Sequence, residues 1–338
     1  MDLFYFLFRQ SLMFSIPLLI VALGGLFSER SGVVNIALEG IMIFGAFFGI
    51  WFMHTAQNAG WLSGQALFLV ALLISGVIGG LFALLHAFAA ISACGRSVRF
   101  AIPLFIIYIS MKADQTISGT ALNLFAPAFG IFVAKTIFGG VKSIPFSNEF
   151  LIKKVPVLSD IPIIGDMFFK DFYLSTFIGI AILIATYVYL YKTKTGLRIR
   201  TCGENPQAAD AAGVNVYKMR YLGVVLSGIL ASMGGLIYVI PITSEYSSTV
   251  AGYGFLALAV LIFGNWTPWR IALSAIFFAF AKTLAVTYAS IPFLLNSGVP
   301  GVVFKIFPYV ATLILLAFTS KNSAAPKAAG EPFDKAKR

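Results

Sequence analysis

The chain has 338 residues, of which 59% are hydrophobic and 11% charged, and its mean hydropathy is +0.92. These values exclude an ordinary soluble domain and predict a membrane protein. The net charge of +11 is compatible with nucleic-acid binding in principle. The Lys and Arg residues, however, are scattered between apolar runs and in a tail, where they set membrane topology, so no nucleic-acid partner is expected.

Apolar runs predict transmembrane helices, because crossing about 30 Å of hydrocarbon takes about 20 helical residues. The runs cover residues 10–27, 33–53, 65–92, 116–138, 172–191, 220–242, 251–265, 271–290 and 302–319. A shorter run at 100–111 is compatible with a re-entrant or broken helix. Counting it gives ten spans with both termini inside, whereas omitting it gives nine and an external N-terminus. We predict an all-α, polytopic fold of about ten transmembrane helices with broken or re-entrant segments.

The regions outside the spans suggest a simple domain plan. Residues 1–320 form one transmembrane domain with a polar loop at 192–220, and residues 321–338 form a tail rich in Lys, Ala, Pro and Gly. Such a composition predicts a disordered cytoplasmic tail. The segment 139–171 is predicted to be an external loop, either a surface that faces a partner or a tolerated long connection.

Cysteine and histidine give no sign of a catalytic or metal site. Cys94 and Cys202 are too few for a disulfide framework or a metal cluster. His54 and His86 have no Cys, Asp or Glu at ligand spacing, which favours packing roles. No GxxxxGK[ST] phosphate loop occurs in the chain, so any energy from ATP has to come from another polypeptide.

The long polar stretch of the second half is GLRIRTCGENPQAADAAGVNVYKMRY, residues 196–221. Basic residues in and beside it far outnumber Glu204 and Asp210, which is typical of a cytoplasmic loop. Asn205 is a favoured N-cap, Pro206 suits the first helical position and Gly213 can end the helix. This predicts a helix of about two turns, too short to be stable alone. It is either a docking element for another protein or a well-capped surface connector.

Polar residues inside apolar segments are candidates for a translocation pathway, because burying them in lipid is costly. They are Asn35, Glu39, Asp114, Gln115, Thr116 and Asn123. Glu39 and Asp114 either contact substrate hydroxyls or pair with Arg30 or Lys112 and so hold broken helices together. Glycines at Gly76, Gly79, Gly80, Gly228, Gly234 and Gly235 predict tight helix packing.

Four stretches carry a family resemblance. They are LFSERSGVVNIALEGIMIFGAF (26–47), KADQTISGTALNLFAPA (112–128), GLRIRTCGENPQAADAAGVNV (196–216) and GFLALAVLIFGNWTPW (254–269). In sequence and order they resemble permease subunits of ATP-binding-cassette (ABC) importers of the nucleoside and simple-sugar branch, within the ribose-type and branched-chain amino acid permease superfamily. The resemblance implies the type II-like importer fold. It also implies that the short helix inserts into an ATPase through Gly203, Glu204, Asn205, Pro206, Ala208, Ala209 and Asp210.

The same resemblance implies the rest of the assembly. It comprises a second permease subunit, identical or different, ABC ATPases that bind ATP and Mg²⁺, and an extracytoplasmic substrate-binding protein or lipoprotein, in the bacterial cytoplasmic (inner) membrane. This chain itself would hold no cofactor and no metal. One departure is an insertion at residues 92–109, where the family joins two motifs almost directly.

Alternatives to a nucleoside or sugar permease are a branched-chain amino acid ABC permease and an ion-coupled secondary transporter. The motifs SERSG and ADQTISGTALN favour the first.

Overall fold

A computed structural model describes residues 2–92, 115–156, 159, 161–162, 164–291, 299–304, 306–307, 310 and 324–334. This part of the chain is mainly helical, as the sequence predicts. Seven of the described helices are long and apolar enough to cross a membrane, so the count of about ten is not confirmed. The predicted run at 100–111 and most of the predicted span at 302–319 lie outside the described residues, although residues 301–304, 306–307 and 310 are helical.

The described helices, in chain order, are α1 (Asp2–Arg30), α2 (Leu38–Ala59), α3 (Gly64–Ser92), α4 (Gln115–Ile137), α5 (Ile164–Phe168), α6 (Ser175–Lys192), α7 (Lys194–Glu204), α8 (Pro206–Ala211), α9 (Val216–Ile242), α10 (Tyr253–Phe263), α11 (Pro268–Thr287) and a 3₁₀ turn at Tyr288–Ser290. Four short strands among the described residues depart from the predicted all-α class. They are β1 (Ile144–Pro145), β2 (Leu151–Lys154), β3 (Lys170–Tyr173) and β4 (Glu245–Tyr246), and they form the antiparallel pairs β1–β4 and β2–β3.

Helix α9 is the centre of the bundle and packs against α3, α1 and α2. Small residues allow the close approach: a Cβ added at Gly79 would lie 2.7 Å from the carbonyl oxygen of Gly228, and one at Gly228 would lie 2.6 Å from that of Gly79. Such small-residue contacts are typical of helices that associate in a membrane. The packing role predicted for these two glycines is confirmed.

The bundle has two polar faces. The coupling face carries α7 and α8, and the distal face carries residues 138–156 and 164–174. Helix α1 starts at the distal face, where Arg9 forms an ion pair with Asp171, and ends at the coupling face, where Arg30 pairs with Glu204. The N-terminal end of α1 therefore lies opposite the coupling helices. Because residues 324–334 lie on the coupling face, the two ends of the described chain are on opposite faces, whereas the ten-span prediction put both termini on the same side.

Two spans are interrupted within the depth of the bundle. Residues 33–37 are non-helical, and Asn35 donates a hydrogen bond to Ser227 near the middle of α9, so α2 starts later than the predicted residue 33. Helix α10 has only 11 residues, about 16 Å at 1.5 Å per residue, which is too short for the predicted full span at 251–265. The chain before it, from Thr243 to Gly252, is short strand and loop.

Residues 324–334 of the tail are packed on the coupling face, with Ala328 and Phe333 buried. This differs from the disorder predicted by composition for residues 321–338. The reason is that Phe333 and a few backbone groups find partners on other elements, and a composition average does not register single anchoring residues.

Candidate functional site

Helix α7 was not predicted by the sequence, and it positions the rest of the coupling face. Thr193 breaks the chain from α6 with extended backbone angles, and its hydroxyl accepts a hydrogen bond from the Gly196 N–H at 3.1 Å. Residues Ile199 and Cys202 then form a buried stripe at helical spacing. Helix α7 therefore lies against the bundle and directs its C-terminal end toward α8.

Helix α8 forms as the local signals predict. The Asn205 side-chain oxygen accepts from the Ala208 N–H at 3.0 Å, and Pro206 occupies the first turn, where no N–H is needed. Gly213 follows the helix with φ +81°, a left-handed conformation that glycine adopts without strain. The predicted cap, start and stop are confirmed by these contacts.

The seven residues that the resemblance assigned to the ATPase contact divide into two groups. Glu204, Asn205 and Ala208 are exposed and Asp210 is half-buried, whereas Gly203, Pro206 and Ala209 are buried within this chain. Residues three apart share one side of a helix, so Pro206 and Ala209 together face the bundle.

Gly203 has a structural reason to be glycine. A Cβ at this position would lie 2.4 Å from the carbonyl oxygen of Arg30, so no side chain fits where α7 meets the end of α1. Its neighbour Glu204 accepts a hydrogen bond from Arg30 at 3.3 Å, and Arg30 also donates to the Trp266 carbonyl at 2.9 Å. Arg30 thus links the coupling helices to the α10–α11 loop.

The Cys202 thiol lies on the buried side of α7. Burial raises its pKa to about 11, and the charge of Arg220 lowers it only in part. A thiol that stays protonated at neutral pH is a poor nucleophile and a poor metal ligand. The buried thiol therefore has a packing role. In the described part of the chain, no group of three or more His, Cys, Asp and Glu could hold a metal ion.

Three of the six polar residues predicted for the pathway, Asn35, Gln115 and Asn123, lie in or contact the interrupted segment 33–37. Gln115 accepts from the Val34 N–H at 2.9 Å. Asn123 accepts from the Gly40 N–H at 2.7 Å and donates to the Ile36 carbonyl at 2.9 Å. These side chains satisfy backbone groups that no helix pairs, a requirement in a lipid-embedded protein.

Glu39 serves the second interruption. Its carboxyl oxygens accept from the backbone N–H of Gly252 at 2.9 Å and of Gly254 at 2.6 Å, at the start of α10. The pairing of Glu39 with Arg30, one of the two predicted alternatives, is not formed, because Arg30 pairs with Glu204 and the partners of Glu39 are backbone amides. Thr116 is exposed on α4. Asp114 and Lys112 lie outside the described residues.

The sequence analysis did not single out three further exposed residues of α8 and its C-terminal end: Gln207, Ala211 and Ala212. Counting three and four residues on from Ala208 gives Ala211 and Ala212, and counting four residues back from Ala211 gives Gln207, because such spacing selects one helix face. It also missed the bridging role of Arg30, which no local pattern shows.

A chain whose described residues include seven membrane-length helices, interrupted spans and a capped helix on one polar face fits a transport protein. Residues 7–316 match the family model described as branched-chain amino acid transport system / permease component. The chain therefore belongs to this family, and the resemblance seen in the four sequence stretches is confirmed. It is a transport component without an ATPase site of its own, and not an enzyme.

Individual relatives are similar over nearly the whole chain. The guanosine ABC transporter permease protein NupQ of Bacillus subtilis (strain 168) is 41% identical over 97% of this chain and 96% of its own length. The nucleoside ABC transporter permease protein NupC of Lactococcus lactis subsp. cremoris (strain MG1363) is 40% identical over 96% of each chain. The putative glucose ABC transporter permease protein TsgC13 of Haloferax volcanii is 27% identical over 89% of this chain and 87% of its own.

Proposed function

We propose that this chain is a transmembrane permease subunit of an ATP-driven importer for nucleosides. The observation that carries the substrate class is the near-complete alignment, at 40–41% identity, with two permeases named for nucleosides or guanosine. The relative named for glucose is more distant, at 27% identity. Interrupted helices are also expected in an ion-coupled secondary transporter, so the helix breaks alone do not distinguish ion-coupled from ATP-driven transport. Membership in the permease family favours ATP-driven transport.

The assembly that follows has this chain in the bacterial inner membrane beside a second permease subunit. ABC ATPases, which bind ATP and Mg²⁺, dock on the coupling face, so the coupling face is cytoplasmic. A substrate-binding protein docks on the distal face. ATP-driven closure of the ATPases would move the coupling helices and switch the pathway between outward and inward access, a rigid-body change of a type known in switching assemblies.

The docking surface for the ATPase is the exposed side of α8 and its flanks. It consists of Glu204, Asn205, Gln207, Ala208, Ala211 and Ala212. Three of these are alanines, so the surface is narrow and admits close approach by a groove on the partner. Gly203, Pro206 and Ala209 support this surface from the buried side, and Asp210 lies at its edge.

Uptake by reconstituted proteoliposomes tests the substrate class. The complete set of permeases, ATPase and binding protein is expected to accumulate labelled guanosine or another nucleoside only with ATP, and the permease alone is expected to accumulate none. ATP-dependent uptake of glucose, a pentose or leucine in place of nucleosides would overturn the assignment. Nucleoside uptake by the permease alone with an ion gradient would overturn the ATP-driven mechanism.

Co-purification of the ATPase with a tagged permease tests the docking surface. Ala208→Arg introduces a long charged side chain on the exposed side of α8 and is expected to abolish co-purification. Ala59→Arg is a matched control, because Ala59 is an exposed alanine at the end of α2 on the opposite face. Charge reversal of Glu204 together with Asp210 is a less specific test, since Glu204 also pairs with Arg30. Normal ATPase binding by Ala208→Arg would contradict the assignment.

A further inference from the structure

The tail residues 324–334 make contacts with four separate elements of the coupling face. The Ala324 N–H donates to the Asn265 side chain at 2.6 Å, in the loop between α10 and α11. The Ala328 N–H donates to the Gly203 carbonyl at 2.9 Å, at the end of α7. The Gly330 N–H donates to the Gly32 carbonyl at 3.2 Å, in the loop between α1 and α2. The tail therefore ties together segments that are far apart in sequence.

The fourth contact anchors the tail end on α9. Arg220 is 1% exposed and donates from Nη1 to the Glu331 carbonyl at 2.8 Å. Tyr217, one turn earlier, donates from its hydroxyl to the Phe333 carbonyl at 3.3 Å, and the two rings pack edge to face with centroids 5.4 Å apart. Phe333 is 3% exposed, so an apolar anchor and a buried cation fix this end.

The receiving surface is shaped for the tail. Asn265 has φ +48°, a left-handed conformation that Asn tolerates better than most residues, and its side-chain oxygen accepts the first of the tail hydrogen bonds. Gly203 and Gly32 contribute carbonyl oxygens from points where two backbones meet closely. Backbone-directed contacts of this kind do not depend on the side chains of the tail, which explains why Ala and Gly suffice there.

The contact at Gly203 is adjacent to the docking surface, because the next residue, Glu204, belongs to that surface. We propose that residues 324–334 are a strap that fixes the orientation of α7 and α8 relative to the α1–α2 and α10–α11 loops, and that the ATPase binds a docking surface positioned by this strap. The inference rests on the proposed function, since it concerns how the same surface is presented to the ATPase. The tail is then a positioning element of the coupling site.

The short length of α8 explains why a strap is needed to fix its orientation. Helix α8 has six residues, and so short a helix is not stable by itself. Asn205 and Gly213 cap its ends, but they do not fix its direction. Direction comes from α7, whose C-terminal end is held by Arg30 through Glu204 and by the tail through Gly203. Removing the tail leaves the Arg30–Glu204 pair and the packing of α7 on the bundle, so the end of α7 is held less firmly.

Measurement of ATPase affinity for tail variants tests the strap. Permease in detergent or nanodiscs is titrated with its ATPase, and the full chain is compared with a chain that ends at residue 323 and one that ends at residue 334. We expect the chain ending at 323 to bind the ATPase about tenfold more weakly, and the chain ending at 334 to bind like the full chain. The second truncation removes Lys335, Lys337 and Arg338 and is the control for loss of tail charge.

Point variants keep the test independent of folding problems in the truncated chain. Ala328→Pro removes the N–H that reaches Gly203, and Phe333→Ala removes the anchor on Tyr217, whereas Lys327→Ala alters an exposed neighbour and is the control. Both strap variants are expected to weaken ATPase binding severalfold and to lower the ratio of substrate-stimulated to basal ATPase activity. Their thermal unfolding midpoints are expected to stay close to that of the full chain.

Two outcomes would contradict the proposal that residues 324–334 act as a strap. One is full ATPase affinity and stimulation in the chain ending at 323 and in both point variants. The other is an equal loss in the chain ending at 334, which would assign the effect to the terminal charges. These outcomes are distinguishable from failure of the proposed function, because in that case the full chain itself would not bind the ATPase.

Discussion

Helices α8 and α10 both begin after a break in the chain, and their first turns are stabilised in different ways. At α8 the cap comes from Asn205, which bonds Ala208 only three residues away. At α10 the acceptors come from Glu39, which is 213 residues from Gly252 in the sequence. The first break lies on a polar face with exposed residues around it, and the second lies inside the bundle.

The difference follows from the surroundings. At a polar surface, water and short polar side chains satisfy the N–H groups of a first helical turn, so a local cap is sufficient. In an apolar interior each unsatisfied N–H costs several kcal/mol, so a strong acceptor has to be supplied by another helix. A broken span is therefore tied to its neighbour, whereas a surface helix can be repositioned with little loss.

The largest effect is expected at Glu39. Glu39→Leu removes the acceptors for Gly252 and Gly254 and is expected to lower the free energy of unfolding by about 3 kcal/mol or more, seen as a loss of folded protein by gel filtration in detergent. Glu39→Gln retains one acceptor oxygen and is expected to lose less. Equal stability of Glu39→Leu and the unchanged chain would show that the remote cap is not needed.

The thiol of Cys202 tests whether α7 is held against the bundle. Because burial raises its pKa to about 11, the thiol stays protonated below pH 9, and the thiolate fraction at pH 8 is about a hundredfold lower than for an ordinary cysteine. We expect slow labelling by a water-soluble maleimide in a chain in which Cys94 is replaced by Ser, and fast labelling after denaturation. Rapid labelling of the folded chain would place α7 away from the bundle.

A smaller effect is expected at the local cap. Asn205→Ala leaves the Ala208 N–H to water and is expected to destabilise α8 by about 1 kcal/mol, with faster amide hydrogen exchange in residues 206–212 and little change in the unfolding midpoint. Asn205→Asp keeps an acceptor oxygen and serves as the control. A fall in global stability as large as that for Glu39→Leu would remove the distinction between the two helix starts.

The smallest effect is expected on the distal face. The Arg9–Asp171 pair is 3.1 Å long, but the Asp171 side chain is 55% exposed, and exposed ion pairs contribute little. Arg9→Ala is expected to change the free energy of unfolding by less than about 0.5 kcal/mol, with any change reduced further by salt. A shift of several degrees in the unfolding midpoint would show that this pair holds the N-terminal end of α1 in place.

The sequence predicts features that depend on near neighbours. The cap at Asn205, the start at Pro206 and the stop at Gly213 are correct because each needs only a few adjacent residues. Long apolar helices are predicted for the same reason, although the short length of α10 is not, because residues 251–265 contain no charged residue.

What the sequence does not predict depends on distant parts of the chain. The partners of Glu39, the bridge made by Arg30 and the position of Phe333 on Tyr217 arise only after helices pack. The orientation of α1 is decided in the same way, by contacts of Arg9 with Asp171 in β3 and of Arg30 with Glu204 in α7, each more than 150 residues away.

The most direct test of the coupling surface is photo-crosslinking from position 208. A benzoylphenylalanine placed there in the permease of the assembled transporter, and a second one placed at position 59 as control, are irradiated and the adducts identified by mass spectrometry. Our account predicts an adduct between position 208 and the ATPase and none from position 59. An ATPase adduct from position 59 alone, or none from position 208 in a complex that hydrolyses ATP and imports nucleoside, would contradict it.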